Sequence, residues 1–439
     1  MTARVRWPRG RRSATLRTAV PLVTLVLAST ACGEPALHVG SEDSRPSATG
    51  QSATTPRTAT PRTLSPGPDL SSATGEAPSV TSAAPAATTT TCTDRYFNGM
   101  TTAQRVGQLF MGGVSAARPD QAQLRTLRAY HVGSIMLTGR STAGVAATRK
   151  VVDAIRSQAD QVGGRRVGML VSTDQEGGRV QVLSGPGFST MPSGLTQGSW
   201  STTTLRARAA DWAKQLKAAG LNVNLAPVAD VVPASLGTRN RPIGFFNREF
   251  GHTADVVSSH SNAFAAGFAQ SGVLTTIKHF PGLGQVIGNT DTTANVVDSV
   301  TTANSSSITP FRNGIRAGSP FVMVSLATYK KIDSKHLAAF SPTVINQMLR
   351  TQLGFKGVVI SDDLGNAVAV RSFTPAQRAV NFVSAGGDMI LTVNPSTVPA
   401  MAQAVQARMQ QDASFRAKVN ASVHRVLDAK YKAGLLTCS

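Results

Sequence analysis

The 439-residue chain is poor in aromatics, in charged residues and in cysteine. Aromatic side chains make up only 5% of it, and arginines and rings do not interleave into a stacking platform. That composition gives no support to nucleic-acid recognition. The three cysteines, Cys32, Cys92 and Cys438, lack the close spacing of a zinc cluster, and no metal site is expected. Charged residues reach 15%, with 23 Asp and Glu against 44 Lys and Arg. The excess persists when the six arginines before Cys32 are set aside. A basic surface suits anionic wall polymers or membrane headgroups, and it also arises as a plain solvated surface. Hydrophobic residues, at 41%, suffice for a sizeable core.

The N-terminal segment points to export. An arginine-rich start is followed by an apolar run from Ala19 to Ala28, then Ser29-Thr30-Ala31-Cys32. This is the order of a signal peptide, expected over residues 1–31, and the run is short of the roughly 20 residues of a spanning helix. A cysteine directly after small residues resembles a lipobox, so Cys32 is expected to carry the lipid; ordinary cleavage nearby is the alternative. Residues 32–91 are rich in Ser, Thr, Pro, Ala and Gly. Such a stretch buries too little apolar surface to offset its ordering entropy, and reads as a disordered stalk. The expected location is the outer face of the cell membrane. Cys92 and Cys438 bracket the remaining residues, 92–439, and are expected to pair in an oxidising compartment.

From Cys92 onward, short apolar runs alternate with amphipathic stretches. The runs are Gln108–Gly113, Gly133–Leu137, Gly168–Thr173, Asn222–Val228, Val273–Ile277, Phe321–Leu326, Gly357–Ser361 and Asp388–Thr392. Continuous apolarity implies strands buried on both faces, as in parallel sheets. Helical patterns lie between them, among them Gly144–Gln161, Thr202–Ala219 and Thr253–Gln270. Eight such units predict a single α/β domain, a (β/α)8 TIM barrel, with chemistry at the strands' C-terminal ends. An open doubly wound sheet is the alternative, but no GxGxxG follows the first strand.

Polar residues fall at those ends. The third strand runs into Asp174-Gln175-Glu176-Gly177-Gly178-Arg179. A carboxylate there can accept charge-assisted bonds from vicinal sugar hydroxyls. The glycines permit a tight turn, and Glu176 with Arg179 reads as an internal pair holding it. The fifth strand ends at Lys278 and His279, followed by Phe280-Pro281-Gly282 and a polar loop with one carboxylate, Asp291. Adjacent donors suit a polyhydroxylated ligand, and a loop carboxylate suits proton transfer. The seventh strand ends in Ser361-Asp362-Asp363-Leu364. Neighbouring side chains diverge at a strand end, so only one of the two aspartates faces a ligand.

These segments resemble glycoside hydrolase family 3, in its branch of bacterial β-N-acetylglucosaminidases. Asp174 to Val180 is similar to the family's D-Q-E-G-G-R-V at every position, and Lys278 to Gly282 to its K-H-F-P-G. Ala226 to Val231 and Ile243 to Gly251 resemble A-P-V-x-D-V and I-G-x-R-x-F-G, with two extra residues, Phe245 and Phe246 or their neighbours. The resemblance implies that Asp174, Arg248, Lys278 and His279 bind the non-reducing sugar and that Asp230 orients a loop. It also implies that Asp362 is the nucleophile, with Asp363 as alternative, and that no cofactor is used. The chain ends after the eighth unit, which leans toward the single-domain branch.

Two departures stand out. Leu283 replaces a histidine, and Asn289-Thr290-Asp291 lies over D-S-H, placing Asp291 where the branch carries its proton-shuttling histidine. Asp291 is therefore the expected general acid, its pKa raised by burial and by Asp362. At Val324-Ser325-Leu326, where V-S-H is frequent, a contact or loop support is expected to be lost. The expected function is a monomeric retaining exo-β-N-acetylglucosaminidase acting on terminal N-acetylglucosamine of peptidoglycan-derived muropeptides or related wall glycans. The alternatives are an inactive wall-glycan-binding lipoprotein and a β-glucosidase-type hexosidase; phosphate could replace water as acceptor.

Overall fold

The structure, a computed structural model, describes residues 91–438. The expected signal peptide, Cys32 and the linker to residue 90 lie outside the described residues. Thr91 and Thr101 each open a helix, Cys92–Gly99 and Thr102–Gln108, with a reciprocal capping box. Cys92 is bridged to Cys438, as expected, with Cα atoms 5.5 Å apart.

Eight parallel strands follow, each overlapping one of the expected runs: β1 Phe110–Ser115, β2 Ser134–Thr138, β3 Leu170–Thr173, β4 Val223–Asn224, β5 Leu274–Phe280, β6 Phe321–Val324, β7 Val358–Ser361 and β8 Ile390–Thr392. They form two four-stranded sheets, in the orders β8-β1-β2-β3 and β7-β6-β5-β4. Hydrogen bonds also run between the sheets. The amides of Asn222 and Leu225 donate to the carbonyls of Val171 and Thr173, at 3.1 and 2.9 Å. Ile360 and Met389 form a parallel bridge at the other pair of edges. One apolar cluster draws Met111, Met136 and Leu391 from the first sheet and Val223, Met323 and Ile360 from the second. Val426 and Ala429, from the helix Ala413–Lys432, join it.

Helices cover the outer faces. Thr202–Ala218 and Ala254–Gln270 pack together through Trp212, Phe264 and Phe268, whose rings lie 6.2 and 4.6 Å apart in sequence. Ser201 and Thr253 cap them by accepting the amides of Thr204 and Val256. Buried Asp388 ties β7 to the helices: it accepts the Val359 amide at 2.7 Å and Arg425 Nη1 at 2.8 Å, and it pairs with Arg350.

Several boundaries differ from the sequence reading. The helix expected over Gly144–Gln161 ends at Arg156, because Gly163 and Gly164 adopt positive φ and turn Gln161–Val162 onto Arg165–Arg166 as a hairpin. Gln108 closes a helix instead of opening β1. Thr343–Gln352 is wound wider than an α-helix, and the Leu353 amide reaches back five residues to the Met348 carbonyl at 2.9 Å.

Candidate active site

A cavity of about 450 Å³ opens where the strands end. Its walls include Asp174, Arg248, Lys278, His279, Asp291 and Asp362, so the six residues named from sequence for sugar binding and chemistry share one space. Asp174 follows the last residue of β3, and Asp362 follows the last residue of β7.

Lys278 and His279 are consecutive, and consecutive residues of a regular strand point to opposite faces. Here the register against β6 shifts: Met323 faces Lys278 and Val324 faces Phe280. His279 is thus an extra residue opposite the partner strand, a bulge that turns both side chains to the cavity.

Beside them lies a compact charge cluster. Lys278 Nζ is 2.6 Å from Asp174 Oδ1 and 2.6 Å from Glu176 Oε1. Arg248 donates through Nε and Nη2 to the two Glu176 oxygens, at 2.8 and 2.7 Å. Glu176 therefore pairs with Arg248 and Lys278, not with Arg179, which corrects the expected internal pair. Gly177 makes this possible. It has φ 108°, and a Cβ there would run into the Pro192 carbonyl, so the turn carries the preceding glutamate inward. Burial opposes ionisation of Glu176, but the charges of Arg248 and then Lys278 outweigh it and hold the carboxyl at about 2. Burial likewise opposes the charge on Lys278, yet Asp174 and Glu176 raise its pKa above the ordinary lysine value. The two extra residues do not displace Arg248 from the cavity.

Asp230 is fully buried and organises the next layer. Its Oδ2 accepts from His279 Nδ1 at 2.7 Å, and its Oδ1 accepts the amides of His279 and Leu283 at 3.2 and 2.7 Å. The loop-orienting part follows the sequence reading; the grip on the imidazole was not foreseen. The other ring nitrogen, Nε2, lies 3.5 Å from Arg248 Nη2.

The two strand-seven aspartates differ sharply. Asp363 accepts the amides of Gly365 and Val393 on Oδ1, at 2.8 and 2.9 Å, and that of Asn366 on Oδ2, at 2.9 Å. Asp362 accepts one amide, from Asp363, at 2.8 Å.

Asp291 sits on the loop after β5. The Asn289 side chain accepts its amide at 3.0 Å, an Asx turn. The carbonyls of Thr290 and Asp291 bond to the amides of Ala369 and Val368, at 3.0 and 3.2 Å. The residue keeps solvent access at the cavity mouth. Neighbouring protein nevertheless strips much of the water from its carboxyl. That desolvation, and next the Asp362 charge, push its pKa up to about 6 despite Arg248 and His279. Support for this loop is not lost at strand six: Tyr329 Oη bridges Ser325 Oγ at 2.9 Å and the Gly282 carbonyl at 2.8 Å.

A polar, carboxylate-lined cavity at the C-terminal ends of parallel strands suits an α/β enzyme that acts on a polyhydroxylated ligand. Residues 101–429 match the Glycosyl hydrolase family 3 N terminal domain, and the chain belongs to that family of glycoside hydrolases. A β-hexosaminidase of Xanthomonas axonopodis pv. citri is 32% identical over 292 residues, 65% of this chain and 83% of that protein. An uncharacterized secreted glycosyl hydrolase of Arthroderma benhamiae is 38% identical over 228 residues, 51% of this chain and 63% of its own length. The crystal structure of a β-N-acetylhexosaminidase from Beutenbergia cavernae superposes with a TM-score of 0.74 at 50% identity, covering 76% of this chain and 99% of that one.

Proposed function

We propose that the protein is a retaining exo-β-N-acetylglucosaminidase that removes terminal N-acetylglucosamine from peptidoglycan-derived muropeptides or related wall glycans. The observation that carries this reading is the presence of Asp291 and Asp362 on one cavity beside the Asp174–Lys278–Glu176–Arg248 cluster. Asp174, Arg248, Lys278 and His279 hold the terminal sugar. The Asp362 carboxylate attacks the anomeric carbon while Asp291 gives its proton to the departing glycosidic oxygen. The glycosyl ester that forms removes the Asp362 charge, the second cause of the raised Asp291 pKa. Asp291, now a stronger acid and therefore a carboxylate, takes a proton from water as that water attacks the anomeric carbon and frees Asp362.

The two sheets are inferred to close into one (β/α)8 barrel, supported by the bonds at both pairs of edges and the apolar cluster shared between them. Residues 92–439 form the catalytic domain in this reading. Residues 1–31 direct export, Cys32 is lipidated, and the linker holds the enzyme off the outer membrane face. The secreted relative in Arthroderma supports export.

The test is turnover of an aryl N-acetyl-β-glucosaminide and of the matching β-glucoside by wild type, Asp362→Asn and Asp291→Asn. The N-acetyl substrate should be preferred, and both variants should be impaired on it. No turnover by pure wild type defeats the enzymatic reading, and preference for the glucoside defeats the substrate assignment.

A further inference from the structure

A basic groove lies at the end of the strands remote from the active-site cavity. Two adjoining cavities, of about 290 and 340 Å³, share Phe355, Lys356 and Arg425. One wall is built from the segments around Ser319, Lys356 and Gly386, just before β6, β7 and β8 begin, whereas the catalytic cavity lies where those strands end. The other wall is the helix Ala413–Lys432. Its Lys418, Arg425 and Lys432 line the groove at a spacing of seven residues. Seven residues make almost two helical turns, so the three cations fall on one face at intervals of about 10 Å. Arg350 and Lys356 add two further cations from the first wall.

These cations outnumber the carboxylates beside them. Asp428 lines the groove, and Asp388, fully buried, takes both arginines, Arg350 and Arg425. Lys418 Nζ donates to the Ser384 carbonyl at 2.6 Å. Lys356, Lys418 and Lys432 are exposed, and among the described residues none of them meets a carboxylate. The uncommitted charges are therefore ammonium groups. An ammonium is a point charge that suits a tetrahedral phosphodiester, whereas a planar carboxylate is matched best by a guanidinium fork. The one ring in the groove lining, Phe355, is buried, and the Arg350 guanidinium lies 5.4 Å from its centroid, so nothing there stacks on a base. A concave groove with charges at regular intervals fits a thread and not a flat surface. We propose that this groove binds a linear polyanion of phosphodiester-linked units without bases. The catalytic cavity, at the other end of the strands, stays open while the enzyme is held on such a polymer. The inference does not depend on the hydrolytic reading.

The experiment measures Kd for a fluorescent glycerol phosphate oligomer long enough to span the three helix cations. Every protein is the full-length chain carrying Cys32→Ser, so that no lipid anchor contributes. Lys356→Gln with Lys418→Gln and Lys432→Gln should weaken Kd at low salt by about tenfold or more. The same variant should lower the slope of log K against log salt by about two, as the loss of three phosphate contacts implies. Arg125→Gln with Lys150→Gln and Arg208→Gln removes equal charge from exposed positions on helices that do not line the groove. That control should leave Kd within about threefold, the share of a general field. Both variants should keep the wild-type melting temperature, since the substituted side chains are exposed. Absence of binding by the parent chain, or an equal loss of affinity in the two variants, overturns the groove. A greater loss in the groove variant for phosphatidylglycerol vesicles than for the oligomer makes the occupant a membrane surface and overturns the polymer.

Discussion

Asp362 and Asp363 are adjacent in sequence but opposite in employment. Both line the cavity, but Asp363 is buried and accepts three backbone amides, from Gly365, Asn366 and Val393, whereas Asp362 is more exposed and accepts one. A carboxylate bound to three amides is a structural brace; one with a single amide partner retains lone pairs for a ligand. Asp362→Asn should therefore lower kcat by about 10⁴-fold or more with an unchanged melting temperature, in the range seen when a nucleophile is removed. Asp363→Ala should instead cost about 1–3 kcal/mol of stability, because it strands buried amides. Steady-state kinetics and thermal melts of both variants check this, and the reverse pattern would exchange the two roles.

Asp291 should set the alkaline side of the pH profile. Its pKa of about 6 lies above the ordinary aspartate value of 3.8, so the protonated acid survives near pH 5 and is lost as pH rises through 6. The free-enzyme pKa governs kcat/KM, which should fall above pH 6 for a substrate whose leaving group needs a proton. In Asp291→Asn that limb should vanish. A dinitrophenyl glycoside, whose leaving group needs no proton, should lose far less rate in this variant than a disaccharide. Equal losses on the two substrates would remove Asp291 from the acid role.

Glu176 holds two buried cations, and its removal should be felt in both stability and affinity. Glu176→Gln leaves Lys278 and Arg248 with Asp174 as the remaining carboxylate contact, at Lys278 only. Breaking a buried pair from one side costs about 3–5 kcal/mol. The sign with pH follows from the shift. The folded carboxyl sits at about 2, below the ordinary glutamate value of 4.5, so its stabilisation is complete above 4.5 and is lost as pH falls toward 2. Urea unfolding between pH 5 and pH 2 should show a steeper loss in wild type than in Glu176→Gln.

The parallel strands were readable because their runs are apolar without alternation, and the strand ends because Asp174, Lys278 and Asp362 are polar residues directly after such runs. The Glu176–Arg248 pair was not readable: the partners are 72 positions apart, and Arg179 is the nearer cation in sequence. Nor could the strand reveal that Lys278 and His279 share a face, since that depends on a register shift against Met323 and Val324. The choice between Asp362 and Asp363 likewise required the amides that the segments after β7 and β8 deliver. The hairpin at Gly163-Gly164 left a signal in its paired glycines, which the longer amphipathic pattern over 144–161 concealed.

The sequence bridge between Cys92 and Cys438 should act on stability and not on chemistry. It closes a span of 346 residues, and neither cysteine lines the cavity. Restricting the unfolded chain over so long a loop contributes about 2–5 kcal/mol. Cys92→Ser with Cys438→Ser should lower the unfolding midpoint by that amount and leave kcat/KM for the aryl glycoside within about twofold, the effect expected of a residue remote from the reacting groups. A tenfold loss of kcat/KM in folded protein would show that the clamp shapes the site.

Lys430 should give the protein a stability that grows with pH. Its side chain is fully buried, and Nζ donates to Gln108 Oε1 at 2.6 Å and to the Gly133 carbonyl at 2.9 Å. Among the described residues no carboxylate touches it, and burial lowers its pKa to about 7 from the ordinary lysine value of 10.5. Between those values the unfolded chain holds a proton that the folded chain has released. Stability therefore rises with pH across the window, by on the order of 1 kcal/mol per unit, and this contribution is flat below 7. Lys430→Met has no such group, so unfolding free energies at pH 7, 8 and 9 should rise more steeply for wild type than for the variant. Parallel curves would mean that Lys430 stays charged in the folded core throughout, held so by the two carbonyl-type oxygens alone.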